Sequence, residues 1–259
     1  MSDSALKPLL VSAGIAAAAL ALGVASWQAT SGGGDGAAAP DRGAVSATAT
    51  PGGGGDAGGD HLLALARRDP KDPFAQGRAD APVVLIEYAD FRCGYCGKFA
   101  RDTEPDLVKK YVDDGTLRIE WRNYPIFGAE SEAAAKAAWA AGRQGRFWQF
   151  HAAAYAEGSK EKGFGDARLR ELARQAGVPD PARFESDMKS PAAQEALRKD
   201  QDEAYGLGAS STPSFLVGAT PIAGAQPADT FHRAIEAARD RARAAAGPTP
   251  GGTARGAAQ

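Results

Sequence analysis

Three kinds of hydrophobic pattern follow one another along the chain. From Pro8 to Trp27 no residue is charged, and Leu9, Leu10, Val11, Ile15, Leu20, Leu22, Val24 and Trp27 sit among alanines. About 20 residues of this kind span roughly 30 Å as a helix, the depth of a bilayer core. Lys7 precedes the run and no Lys or Arg follows until Arg42, which places the N-terminus inside and the remainder outside. The length favours a permanent anchor over the shorter apolar core of a cleaved signal. Ala19-Leu20-Ala21 and Val24-Ala25-Ser26 are nevertheless small-x-small sites, so secretion after cleavage is the alternative. No cysteine follows the run, which excludes lipoprotein attachment. Residues 1–27 are assigned to this signal-anchor. Gln28 to Asp60 then has no apolar period and several glycine runs, the composition of a flexible linker with a reach of roughly 30 Å.

From residue 61 to 246 the pattern becomes periodic. His61–Arg67 predicts a short helical lead-in, and Asp69-Pro70 and Asp72-Pro73 break it. Val83–Tyr88 is a near-continuous apolar run, as expected of a strand buried on both faces. Phe99–Val112 predicts a helix, ended by Asp114-Gly115. Thr116–Arg122 alternates, with Leu117, Ile119 and Trp121 on one face, and predicts a half-buried strand. Five helical stretches follow: Ser131–Gln144, Gly145–Ala156, Asp166–Ala176, Pro181–Met188 and Pro191–Tyr205. Ser210–Gly218 resumes extended structure, with Pro213 admissible at the first strand residue, and Pro221–Gly224 predicts a second short strand. Pro227–Ala245 closes as a helix with Pro in its first turn. Residues 247–259 read as a disordered tail. The order is βαβ, an all-helical insertion over about 127–209, then ββα: an α/β domain of about 185 residues, enough for one full core.

Composition narrows the function. The net charge is −2 and no basic patch dominates, which argues against nucleic-acid binding. Two cysteines and three scattered histidines, His61, His151 and His232, do not supply the four ligands of a structural zinc site, and no metal is expected. Cys93 and Cys96 lie two residues apart, between the apolar strand and a helix-like run from Gly97 onward. Thiol–disulfide exchange needs an accessible thiolate to attack and a second thiol to resolve the mixed disulfide. Cys93, at the helix N-terminus, has backbone N–H groups and the dipole to favour its thiolate; Cys96, one turn in, is shielded. Cys93 is therefore the nucleophile and Cys96 the resolving thiol. A purely structural disulfide over so short a loop would contribute only about 2 kcal/mol. Phe147, Trp148 and Phe150 read as core and His151 as a structural histidine. Glu87 lies inside the apolar strand, where a buried carboxylate is costly; it either serves the thiols or points outward at the strand end. Asp90 is the other candidate acid.

Phe91-x-Cys93-Gly94-Tyr95-Cys96, Phe147-Trp148-x-Phe150-His151, Thr212-Pro213-Ser214-Phe215 and Gly224-Ala225-Gln226-Pro227, in this element order, resemble the DsbA family of extracytoplasmic thiol–disulfide oxidoreductases. These have a thioredoxin-like fold with an inserted helical domain, and the resemblance covers roughly Asp69 to Ala245. It implies that Pro213 is the family's cis-proline beside the cysteines. It also implies that Thr212 offers backbone hydrogen bonds to an extended substrate peptide, with Phe91, Gly94 and Tyr95 as further substrate contacts. Glu87 takes the place of the acid that lies beneath the thiols and relays protons. The implied cofactor is none beyond the Cys93–Cys96 disulfide itself. The implied partners are exported proteins with cysteines and a membrane protein that recycles the site, and the protein is expected to be a monomer. The sequence departs from many family oxidases in placing Gly94-Tyr95, not Pro-His, between the cysteines. Gly-Tyr with Thr before the proline is similar to the DsbC isomerase site, but residues 28–60 could not form that protein's dimerisation domain. Oxidation is the first expectation for the direction of flow, and isomerisation or reduction the second. A non-catalytic peptide-binding module is a further alternative.

Overall fold

The computed structural model describes residues 55–247. The anchor expected at 8–27, most of the expected linker and all but the first residue of the expected tail lie outside them. Among the described residues no helix is long and apolar enough to cross a membrane.

The sheet is built around β2 (Val83–Ala89), all seven of whose residues are buried. β3 (Leu117–Asn123) runs parallel to it, with Val83 opposite Leu117 and Glu87 opposite Trp121. A two-residue strand, β1 (Ala75–Gln76), pairs antiparallel on the far side of β3. Beyond β2 lie β4 (Ser214–Val217) and β5 (Thr220–Ala223), both antiparallel, giving the order β1-β3-β2-β4-β5. β1 was not predicted: two residues carry no period of their own. β4 begins at Ser214, one residue later than the position expected for Pro213.

The β2–β3 link is helical. α2 (Gly94–Asp102) begins at Gly94 rather than Gly97. The single helix expected over 99–112 is interrupted into α2, α3 (Glu104–Leu107) and a wide π-turn over Val108–Val112. Pro105, which has no N–H to donate, sits at this break. The insertion consists of α4 (Ala129–Gly142), α5 (Phe147–Tyr155), α6 (Asp166–Gln175), α7 (Pro181–Met188) and α8 (Pro191–Gly206). Asp180 and Ser190 cap α7 and α8 by accepting from the Arg183 and Ala193 amides at 2.9 and 3.2 Å, as expected of such residues before a proline. α9 (Ala228–Ala246) closes the chain, and Pro227 precedes its first turn instead of occupying it. At the other end α1 (Gly55–Leu63) starts inside the stretch read as linker and stops short of the helical lead-in expected to reach Arg67.

The two sheet faces bury different chemistry. On one, Leu85, Ile119, Phe215 and Val217 pack with Phe99 of α2 and with Phe231 and Ile235 of α9. The insertion core, built on the alanines of α4 with Phe147, Phe150, Phe164 and Phe184, is continuous with Phe91, Cys93, Cys96 and Trp121. The cysteine pair is thus mounted between sheet and insertion. On the other face the expectation of a half-buried β3 is overturned. Arg118, Glu120 and Arg122 are as buried as the apolar residues between them, because they compensate one another. Glu120 bridges Arg118 and Arg122 at 2.9 Å each and accepts from the Arg67 and Arg68 amides. Arg122 reaches Glu203 of α8 at 3.0 Å, and Arg67 reaches Asp200 at 2.6 Å. A buried charge is tolerable only when paired and hydrogen-bonded in this way.

Candidate active site

The turn that carries the cysteines is shaped by Asp90. Its carboxylate accepts from the amides of Arg92 (2.8 Å), Ile126 (2.7 Å) and Phe127 (3.2 Å). Its carbonyl accepts from the Cys93 amide at 2.9 Å and from the Tyr155 hydroxyl at 2.9 Å. Those donors occupy both carboxylate oxygens, so Asp90 organises the loop and is not the acid that serves the thiols.

Cys93 is the N-cap of α2, and the Cys96 amide donates to its Sγ at 3.4 Å. Both cysteines are free thiols. The Thr212–Pro213 bond is cis and brings the Thr212 carbonyl to 3.2 Å from Cys93 Sγ, where it accepts from the thiol. The Thr212 hydroxyl is buried and has no partner in this form, so it is free to donate once the sulfur is ionised. The Cys96 thiol, the Thr212 hydroxyl and the Cys96 and Tyr95 amides bring the Cys93 thiol down to about 6 against the opposing effect of burial, which ranks second among these influences. Cys96 is fully buried, and desolvation, then the neighbouring Cys93 and Glu87, push its thiol well above the ordinary range. The two thiols are therefore unlike: one ionised at neutral pH, one held protonated. Gly97 lets α2 lie close to α5, since a Cβ there would stand 3.3 Å from the Tyr155 ring.

Glu87 does not point outward. It is completely buried on the face of β2 that underlies α2, and neither carboxylate oxygen has a hydrogen-bond partner. Burial first, then the charges of Glu104 and Cys93, raises its carboxyl well above the usual range. Gly94 and Tyr95 lie exposed beside Cys93, Tyr95 at 68%. Phe91 corrects the expectation of a substrate contact: it is 1% exposed, stacks on Tyr155 at 5.0 Å and packs against Trp121 and Phe150. Its position next to the cysteines serves to anchor the turn in the insertion core.

Sequence reasoning missed Glu104, Gln76 and Tyr155. Glu104 is buried and accepts from Gln76 Nε2 at 2.8 Å, and burial raises its carboxyl to about 8 despite that bond. Its other oxygen lies 4.0 Å from Nδ1 of His151, a core histidine, as expected, that burial keeps neutral by lowering it to about 3. The available signal was spacing: Cys96, Ala100 and Glu104 recur every four residues and share a helix face.

A family model described as thioredoxin matches residues 69–237. The chain belongs to the thioredoxin family. Within it, the neighbours are DsbA-like thiol–disulfide oxidoreductases. A solved thioredoxin-like oxidoreductase from Silicibacter pomeroyi is 29% identical, with a TM-score of 0.60 over 70% of this chain and 97% of that one. A probable disulfide bond formation protein D of Bacillus anthracis is 31% identical over 147 residues, covering 54% of this chain and 67% of that protein. A Na(+)/H(+) antiporter NhaA of Herminiimonas arsenicoxydans is 33% identical over 171 residues, 66% of this chain but 26% of the antiporter. The chain thus spans about a quarter of the length of that relative. For a thioredoxin-family site, an ionised Cys93 above a protonated Cys96 is the arrangement that attack and resolution require.

Proposed function

We propose that the protein is a membrane-tethered, extracytoplasmic thiol–disulfide oxidoreductase that exchanges disulfides with cysteines of exported proteins, acting as an oxidase. The observation that carries the direction is the Cys93 thiol brought down to about 6. A stabilised thiolate favours the reduced pair, and a disulfide whose reduced form is stabilised is the stronger oxidant. A substrate thiolate attacks Cys93 of the disulfide and expels Cys96, which is reprotonated from Glu87. A second substrate thiolate then attacks the substrate sulfur of the mixed disulfide and releases Cys93 as thiolate. The substrate leaves with a disulfide, and two electrons remain on the protein until a membrane partner removes them. Thr212 and Pro213 seat the substrate backbone, with Gly94 and Tyr95 at the exposed rim. The tether rests on the apolar run Pro8–Trp27.

Gly94-Tyr95 favours a second reading, an isomerase or reductase with the same site. Cys96→Ala in the full chain tests the common core of both. It is expected to accumulate mixed disulfides through Cys93 with exported proteins, sedimenting with membranes. A variant that traps none would point to a non-catalytic peptide-binding module.

A further inference from the structure

A cleft reaches Cys93 from the side of the insertion. It holds about 260 Å³ between the start of α2 and the loop after α5, and Cys93, Gly94, Arg101, Glu157, Lys160 and Glu161 line it. The loop is pinned on both sides of Lys160. Ser159 is buried and accepts from Arg168 Nη2 at 2.7 Å, and Phe164 is buried in the insertion core. The Lys160 carbonyl itself accepts from the Gly163 amide at 3.0 Å. From this fixed backbone the lysine side chain reaches back over the cysteine turn. A Cβ at Gly94 would stand 3.4 Å from Lys160 Nζ, and no other side chain beyond its chain neighbours lies within 4 Å of that point. Among the described residues no carboxylate pairs with this ammonium.

We propose that this cleft is a substrate subsite for a carboxylate, with Lys160 selecting cysteines that have an acidic neighbour. This rests on the exchange reading above. The substrate sulfur must reach Cys93 Sγ, and Gly94, which has no side chain, leaves the ammonium open to whatever flanks that sulfur. Arg101 puts a second cation in the cleft: its Nη1 donates to the Tyr155 carbonyl at 2.8 Å and would stand 2.9 Å from a Cβ at Gly97. Arg92, the cation next to Cys93 in the chain, is already paired with Glu130 at 3.2 Å. Glu157 and Glu161 are the opposing charges, and both are exposed and lie more than 4 Å from the point above Gly94. The end of the cleft nearest the reacting sulfur is therefore cationic. An acidic side chain beside the substrate cysteine gains a charge-assisted contact there, whereas a basic one is repelled. Complementarity of this kind acts on partner choice and on the rate of encounter more than on tightness. The subsite breaks no bond: the substrate sulfur still bonds to Cys93 as Cys96 is expelled. The ammonium also offsets the repulsion that a substrate carboxylate meets when Cys93 is released as thiolate.

The test uses the full-length oxidised protein and dithiol peptides identical except at the residue before the first cysteine, which is Asp, Asn or Lys. Reduction of the pair is followed by tryptophan fluorescence, since Trp121 shares a buried cluster with both cysteines. Dividing each variant's rates by those of wild type removes the peptides' own differences in thiol acidity. Lys160→Gln is expected to lose about 5-fold in rate on the Asp peptide, the upper end for a partly exposed ion pair, and little on the Asn peptide. Lys160→Glu should lose more on the Asp peptide and gain on the Lys peptide, and Lys160→Arg should keep the wild-type order. Lys98→Gln removes the same charge from an exposed lysine of α2 that is paired with Asp102, and should change all three peptides alike. Folded Lys160→Gln and Lys160→Glu proteins that change all three peptides by the same factor would overturn the subsite while leaving the exchange reading intact. Lys98→Gln matching the selective loss of Lys160→Gln would do the same. A wild-type protein that oxidises none of the peptides overturns both.

Discussion

Thr212→Val isolates one of the donors that bring the Cys93 thiol down. The substitution keeps the shape of the side chain and the backbone carbonyl that accepts from Cys93 at 3.2 Å. It removes only the hydroxyl, which is buried, has no partner beside the thiol and is placed to donate to the thiolate. A hydrogen bond to a charged group is worth about 1.5–3 kcal/mol. At about 1.4 kcal/mol per pK unit, its loss raises the Cys93 thiol by roughly 1–2 units, from about 6 to between about 7 and 8. At neutral pH the thiolate fraction then falls from about nine-tenths to half or less. Because the stabilised thiolate belongs to the reduced state, the potential of the pair at neutral pH should drop by roughly 20–30 mV. Thiolate absorbance against pH gives the first number, and equilibration with glutathione gives the second. A Thr212→Val protein whose thiolate midpoint stays near 6 would refute the assignment of the hydroxyl as donor.

Glu87→Gln removes a carboxyl whose raised folded value makes the native state less stable as pH climbs from the ordinary carboxylate range toward that value. The variant should therefore gain melting temperature relative to wild type at alkaline pH and none at acid pH, while exchange slows by about 10²-fold. Glu120 has the opposite sign. Burial would raise its carboxyl, but Arg118, the Arg67 and Arg68 amides and Arg122 hold it at about 2. It contributes about 3 kcal/mol of stability above pH ~4.5, lost as pH falls through about 2. Glu120→Ala leaves Arg118 and Arg122 buried without their acid, so denaturant unfolding should show a loss of about 3–5 kcal/mol at neutral pH.

The parts of this fold that were legible in the sequence are those written in short-range pattern. Val83–Tyr88, Cys93-Gly94-Tyr95-Cys96 and Thr212-Pro213 each announce a strand, a helix start or a turn through neighbours within a few residues. What was not legible depends on pairings across the chain. The alternation in β3 reads as apolar-in, polar-out, and nothing nearby says that Arg122 meets Glu203 of α8. β1 exists because Ala75 and Gln76 find a register on β3, and that register also brings Gln76 to Glu104. Phe91 was misread for the same reason: proximity to cysteines in sequence suggests substrate, whereas its ring faces Tyr155 and Trp121. Glycine content at 55–60 suggested linker, and the helix there overrides a weak propensity.

The most direct test of the account is the equilibrium reduction potential of Cys93–Cys96 in the wild-type protein against glutathione. The oxidase reading predicts a value well above about −200 mV, in the direction of a strong oxidant. A value near about −270 mV, the range of a cytosolic reductant, would contradict the oxidase reading.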